Sequence, residues 1–277
     1  MEEPVPASAS ALMSAAARAA HLLVDTPPHL ICDDLALRLC RSLPTSPLDY
    51  QLAHRDEPVL AAARFSACVR ARFAADTLGH VEPRQGVLLG AGLDHPVGDT
   101  AGVQWWTVDL PDVLAWRADL YERAGLTDRC CPSQADLTAD DLVHALVVAG
   151  LDTSRPVMVV WLGGTMYLPD EAVQHVFAQC ADLAAGSVLV ADFVTPPADR
   201  DQAGQAYADA LATAVGGHEP WRCQVSAQNL GDWLGESSWQ VSRTAAEADA
   251  VPAGFWDRRD ALKPMRLVQL VEANIPV

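Results

Sequence analysis

The run Gly86-Val87-Leu88-Leu89-Gly90-Ala91-Gly92-Leu93-Asp94 limits what this chain can become more than any other stretch. Residues 86–89 suit a buried parallel strand. They deliver the chain into Gly-Ala-Gly, where two missing side chains permit a sharp turn and the close approach of a ligand to the backbone. Residues 104–108 then read as a second strand ending in Asp109, nineteen positions past Gly90. In doubly wound α/β folds an acid about 20 residues beyond the glycine turn sits at the end of the second strand and accepts hydrogen bonds from ribose hydroxyls. His95 stands where a dinucleotide fingerprint would place its third glycine, which favours a nucleoside without a diphosphate.

The remainder of the chain fits that start. Residues 86–89, 104–108, 129–132, 156–161 and 187–193 have strand character, and helices over 111–124, 139–149 and 170–184 separate them. Such alternation predicts a mostly parallel sheet with right-handed crossovers and ligands at the carboxyl ends of its strands. Gly90, Asp109, Asp136, Gly163 and Thr195 mark that rim. Upstream, helices over 9–24, capped by Ser8, over 33–42 and over 57–79 form an N-terminal helical cap spanning residues 1–84. In the first of these, Leu12, Ala16, Ala19 and Leu23 share a face at helical spacing. Residues 85–277 form the core, and the whole reads as one compact unit. After the fifth strand the regularity breaks with Thr195-Pro196-Pro197, and an irregular insertion over about 195–225 reads as a lid. A helix over 201–215 lies in it; a helix over 228–235 and strands over 239–242 and 266–271 complete the chain.

Arg64, Arg70 and Arg72 lie on the long third helix, just upstream of the glycine loop; single surface arginines are by default solvated. The net charge of −17, with Lys263 the only lysine, disfavours a nucleic-acid or anionic-membrane partner. The seven cysteines show no Cys-x-x-Cys spacing and no paired histidines, so no metal site or disulfide framework is expected. Glu2 and Glu3 stand where a signal peptide needs positive charge, and no apolar run reaches the ~18 residues of a membrane span, which predicts a cytoplasmic protein.

Several segments together resemble the leucine carboxyl methyltransferase family, in particular its bacterial S-adenosylmethionine-dependent O-methyltransferase branch. They are residues 11–13 and 18–20, Pro58-Val59-Leu60-Ala61, Arg70-Ala71-Arg72-Phe73, residues 89–94, Val108-Asp109-Leu110-Pro111, Ala135-Asp136-Leu137 and Met166-Tyr167-Leu168-Pro169. The resemblance implies a seven-stranded class I methyltransferase fold, Rossmann-like, with an N-terminal helical cap. By motif, Gly90 and Gly92 would pass under the methionine part of S-adenosyl-L-methionine, and Asp109, followed by Leu110, would hold its ribose. Asp136 and Leu137 would bind the adenine edge. Arg70, with Arg72 as the second choice, would clamp the cofactor carboxylate, a task suited to a planar guanidinium.

Three departures stand out. His95-Pro96-Val97-Gly98-Asp99 replaces a segment that usually ends in Tyr-Arg. Gly163 occupies the place of a glutamate that helps shape the cofactor pocket, and Ala75 that of an acidic residue. Trp161, Met166, Tyr167 and Trp221 are candidates for the acceptor pocket, since aromatic and thioether groups suit a bulky apolar substrate. A carboxylate acceptor, the preferred class, is ionised at neutral pH and needs no base; a phenol or alcohol would need one, with His218 the candidate. Two other readings stay open at this level. One is a non-methylating enzyme that cyclises or rearranges a small metabolite with His95 or His218 as acid or base. The other is a catalytically silent partner protein that uses surface tryptophans.

Overall fold

The computed structural model describes residues 6–214 and 220–277. Its centre is a seven-stranded sheet in the order β3-β2-β1-β4-β5-β7-β6. The strands are β1 (Gln85–Leu89), β2 (Gln104–Asp109), β3 (Cys131–Gln134), β4 (Met158–Trp161), β5 (Val188–Val194), β6 (Gln240–Ala246) and β7 (Val268–Asn274). β1 to β5 pair in parallel, and β7 runs antiparallel to both β5 and β6. The predicted mostly parallel seven-stranded α/β fold is therefore present. Strand order reverses between β1 and β4, the position where doubly wound sheets open a crevice for ligands. Gly86 has a local reason: a Cβ there would lie 2.4 Å from the Trp105 ring of β2, so the indole needs the glycine beneath it.

Both faces of the sheet are covered, so the inner strands are apolar runs without alternation, and β5 is buried at all seven positions. One face packs against α6 (Leu142–Val148), α7 (Asp170–Cys180) and α9 (Ala227–Glu236) through Leu146, Val173, Phe177 and Leu230. The other packs against the long α4 (Pro58–Val81) through Phe65, Val69 and Phe73, and against Ala208 of α8 (Gln202–Ala214). A third cluster joins α1 (Pro6–Val24), α2 (Asp34–Arg41) and α3 (Pro47–Ala53) to Leu120 and Tyr121 of α5 (Pro111–Arg123).

Several expectations need correction. Helix α1 begins at Pro6, so Ser8 lies inside it and is not its cap. Ala16 and Ala19 are buried as expected, whereas Leu23 is exposed. Helix α3 was not anticipated; Ser46, whose hydroxyl accepts the Leu48 N–H, and Pro47 at the first helical position were its start signal. Asp33 caps α2 by accepting the Ala36 N–H rather than opening its first turn. Helix α6 starts at Leu142, capped by Asp141, three residues later than the sequence pattern placed it. The last strand likewise runs later, from Val268. Trp105, Trp106, Trp161 and Trp239 are buried, and Trp116, Trp221, Trp233 and Trp256 are half-buried.

The largest correction concerns Arg64, which is fully buried instead of solvated. Its Nε donates to Asp25 Oδ2 at 2.9 Å, its Nη1 to Gln51 Oε1 at 3.0 Å and its Nη2 to the Arg55 carbonyl at 2.7 Å. His21 completes the cluster: Leu30 N–H donates to its Nε2 at 2.9 Å, so its Nδ1 carries the proton and faces Asp25 Oδ2 at 2.8 Å. Burial holds the His21 pKa below its ordinary value, in keeping with that neutral tautomer. Removing one partner of a buried ion pair strands the other without water. We therefore expect Arg64→Ala to lower the unfolding free energy by about 3–5 kcal/mol. Arg72→Ala, which breaks the half-exposed pair with Asp76 four residues on and a long hydrogen bond to the Leu30 carbonyl, should change it by less than about 1 kcal/mol. Urea denaturation of the two variants checks the contrast, and equal losses would count against it.

Candidate functional site

The residues after β1 form the floor of the site. Gly90 and Gly92 both have positive φ, +55° and +47°, values that favour glycine. Their surroundings differ. A Cβ on Gly90 would have Trp161 Nε1 as its nearest neighbour at 3.8 Å, whereas one on Gly92 would come within 2.8 Å of the Ala11 Cβ on α1. The side chain missing at Gly92 thus makes room for the helical cap, and Gly90 faces more open space.

Two buried arginines fix this loop from behind. Arg18 of α1 donates to Asp33 Oδ2 at 2.8 Å, to Asp94 Oδ1 at 2.5 Å and to the Leu93 carbonyl at 3.3 Å. Arg117 of α5 donates to the carbonyls of Gly92 at 3.0 Å and Asp94 at 2.6 Å, and pairs with Asp128. His95 Nε2 lies 3.0 Å from Asp33 Oδ1. Burial raises the Asp33 pKa, but the His95 hydrogen bond and the Arg18 charge outweigh it and hold the carboxyl well below its usual range.

In front of the loop lies a chamber of about 1270 Å³. Its walls come from α1, α4, the carboxyl ends of the parallel strands and residues within 197–212 and 220–224. Gly90, Gly92, Asp109, Leu110, Asp136 and Leu137 lie on one side, and Arg70, Gly163, Trp161, Met166, Tyr167 and Trp221 complete the set of sequence candidates brought together there. Asp109 ends β2 with Oδ2 accepting the Gly92 N–H and Oδ1 the Leu110 N–H, both at 2.8 Å. Burial raises its pKa, and those two N–H donors pull it back only in part. Asp136 Oδ1 accepts both the N–H and the hydroxyl of Thr138, a turn-initiating role, and these bonds hold its pKa below the ordinary value.

Three candidates fall outside this arrangement. Arg72 points its Nε at Asp76 Oδ1, 2.6 Å away, and does not line the chamber, because α4 turns residue 72 away from the face that carries Arg70. His95 is tied to Asp33 and does not line this chamber; it borders a smaller neighbouring cavity together with Arg70 and Asp94. His218 lies outside the described residues.

Polar groups that the sequence did not single out also line the chamber, among them Ser14, Ser66, Asp94, Arg200 and Tyr207. Arg200 donates to the Thr195 carbonyl at 2.8 Å and its guanidinium lies over the Trp221 ring at 5.7 Å, joining two parts of the chamber wall. Behind Leu267 and Val268 sits Glu247, fully buried, with Oε1 accepting both of their N–H groups. The available signals were Ser14 and Arg18 at helical spacing in an alanine-rich helix, and single acids inside otherwise apolar segments.

A parallel sheet of this order, with a glycine loop after its first strand and an acid ending its second, is the architecture of class I S-adenosylmethionine-dependent methyltransferases. Two solved structures share it. One is a DUF574-family protein from Streptomyces avermitilis, at TM-score 0.60 and 18% identity over 94% of this chain and 97% of that one. The other, from Thermobifida fusca and provisionally named a methyltransferase, has TM-score 0.57 and 19% identity over 94% of both chains. At such identities they establish the fold alone. In sequence, a Mycobacteroides abscessus protein provisionally named as an S-adenosyl-L-methionine-dependent methyltransferase is 29% identical over 270 residues, covering 88% of this chain and 85% of its own. The profile of the leucine carboxyl methyltransferase family matches residues 11–181, more than half of the chain, and the chain belongs to that family.

The residues present fit S-adenosylmethionine. Each oxygen of Asp109 accepts a single N–H, so lone pairs remain for two ribose hydroxyls. Trp161 Nε1 is a buried donor without a partner among the described residues, beside Gly90 at the chamber floor.

Glu247 supplies a test of the wall behind the chamber. Burial pushes its carboxyl up from 4.5 to about 8, against the pull of the Leu267 N–H. Between those two values the folded chain holds a proton that the unfolded chain has released, so stability falls as pH rises through that window. The slope is about 1 kcal/mol per pH unit. Glu247→Gln keeps the accepting oxygen and removes the titration. Denaturant unfolding at pH 5 and pH 8 should show the wild type losing a few kcal/mol more than the variant, and identical losses would contradict the buried neutral acid.

Proposed function

We propose that this protein transfers the methyl group of S-adenosylmethionine to an oxygen of a small, largely apolar acceptor, a carboxylate of a natural-product-like metabolite. The observation that supports this most is the size and make-up of the single chamber. At about 1270 Å³ it exceeds the roughly 300–1,000 Å³ that suits one ligand, so cofactor and acceptor fit side by side. Asp109, Asp136 and Leu137 stand on the nucleoside side, and Met166, Tyr167 and Trp221 offer aromatic and thioether surface to an apolar acceptor.

When bound, the cofactor supplies an electrophilic methyl on a sulfonium. The chain's own tasks follow from that chemistry. Asp109 holds the ribose, Asp136 and Leu137 flank the adenine, and Arg70 faces the amino-acid carboxylate. The apolar wall of Met166, Tyr167 and Trp221 would exclude water and orient the acceptor oxygen toward the methyl. With a carboxylate acceptor, whose reference pKa is about 4, the nucleophile is ionised before it binds, and no side chain needs to remove a proton. The reading places the protein in the cytoplasm, in keeping with seven free cysteines.

Asp109→Ala should weaken S-adenosylhomocysteine binding about ten- to hundredfold, the loss of hydrogen bonds to a charged acceptor contributing about 1.5 to 3 kcal/mol. Calorimetric titration measures the affinity and thermal unfolding measures stability. Damage to stability as large as the damage to binding would sink the ribose assignment. With methyl-labelled cofactor, incorporation into carboxylic acids as base-labile esters supports the acceptor class, and label found only on phenols overturns it.

A further inference from the structure

Asp192 is the acid that the proposed chemistry leaves unused. It lies in the run Val188-Leu189-Val190-Ala191-Asp192-Phe193-Val194, every residue of which is buried, and its own exposure is zero. A carboxylate in such a strand is costly unless it is hydrogen-bonded and paired. Oδ1 accepts the Gly163 N–H at 2.6 Å. Oδ2 makes no hydrogen bond among the described residues and lies 3.9 Å from Arg70 Nη1. Asp192 therefore touches two groups of the chamber wall, Gly163 and Arg70, without lining the chamber itself.

Arg70 is held from three sides. Its Nη2 donates to Ser14 on α1 at 2.8 Å, its Nη1 faces Asp192, and its guanidinium fills the space over Gly163, where a Cβ would come within 2.9 Å of Nη2. Gly163 has φ of +68°, so a side chain there would be strained as well as crowded. The carboxylate that faces Arg70 thus comes from β5 and not from the turn after β4.

We propose that Asp192 is a positioning residue that aims the Arg70 guanidinium at the amino-acid end of the methyl donor. The inference rests on the reading that the chamber binds S-adenosylmethionine with Arg70 toward its carboxylate. An arginine left to itself loses side-chain freedom when it grips a ligand; one already held between Ser14 and Asp192 loses less. Asp192 acts through Arg70, so its influence reaches only ligands that carry the amino-acid group.

That selectivity separates positioning from mere structure. Calorimetry on the full chain compares S-adenosylhomocysteine with 5′-methylthioadenosine, which keeps the nucleoside and thioether but lacks the amino-acid group. Asp192→Asn should weaken S-adenosylhomocysteine about tenfold or more and leave methylthioadenosine within twofold. In an Arg70→Met background the same change should cost nothing further. Equal losses for both ligands, or an undiminished affinity for S-adenosylhomocysteine, would overturn the role of Asp192. If Asp192→Asn does not fold, the double variant R70M/D192N, which removes both charges together, is compared with R70M alone; matching affinities support the proposal and a further loss defeats it. A wild-type protein that binds neither ligand would instead overturn the cofactor reading itself.

Discussion

The glycine loop holds its shape because two buried guanidinium groups grip its backbone. Arg18 reaches from α1 to the Leu93 carbonyl and the Asp94 carboxylate, and Arg117 reaches from α5 to the carbonyls of Gly92 and Asp94. A loop with two residues at positive φ has many alternatives in the unfolded chain, and one tight turn survives only where its surroundings over-determine it. Burial alone would push the Arg18 charge toward neutrality, yet Asp94 and Asp33 outweigh that and raise its pKa. The same contacts seat the helical cap on the sheet, so shape of loop and closure of chamber come from one set of bonds. Ala11 against Gly92 shows how tight that seating is.

Charge is used in this protein in two separate ways. The surface is strongly acidic, while several arginines are withdrawn into the interior: Arg18, Arg64 and Arg117 are each at most 2% exposed, and each meets a carboxylate together with backbone or amide oxygens. Such clusters add little net stability compared with an apolar filling, but they are unforgiving when half of a pair is lost. Their effect here is geometric. They tie α1 and α5 to the loop after β1 and α4 to the residues that follow α1 and α3, and α1 and α4 wall the chamber.

The sheet and the gathering of Gly90, Asp109 and Asp136 at one chamber were legible because both rest on local patterns. Alternating strands and helices give the parallel order, and Gly90 with Asp109 nineteen residues later marks the switch point. The interior polar groups were not legible, since their partners are remote: Arg18 meets Asp94 across 76 residues and Arg64 meets Asp25 across 39. Polarity alone assigns such side chains to the surface. Arg70 and Arg72 differ by two positions on one helix, so helical rotation separates a chamber residue from a half-exposed ion pair. Asp192 and Glu247 sit among apolar neighbours in sequence, and only the fold shows that each backs a wall of the chamber.

The sequence departures are tied together by packing and are not independent losses. A side chain on Gly98 would come within 3.4 Å of the Ala75 Cβ, so the 95–99 segment runs close along α4, and an acidic side chain at position 75 would meet it. His95, at the start of that segment, binds the Asp33 that also pairs with Arg18. Gly163 leaves the space that Arg70 fills, and the carboxylate facing that arginine is contributed by Asp192 one strand over. At Ala75 and at Gly163 a neighbouring element supplies the bulk or charge beside the position. The wall at Gly163 is thereby bounded by groups from three elements, Ser14 of α1, Arg70 of α4 and Asp192 of β5, so its shape depends on all three at once.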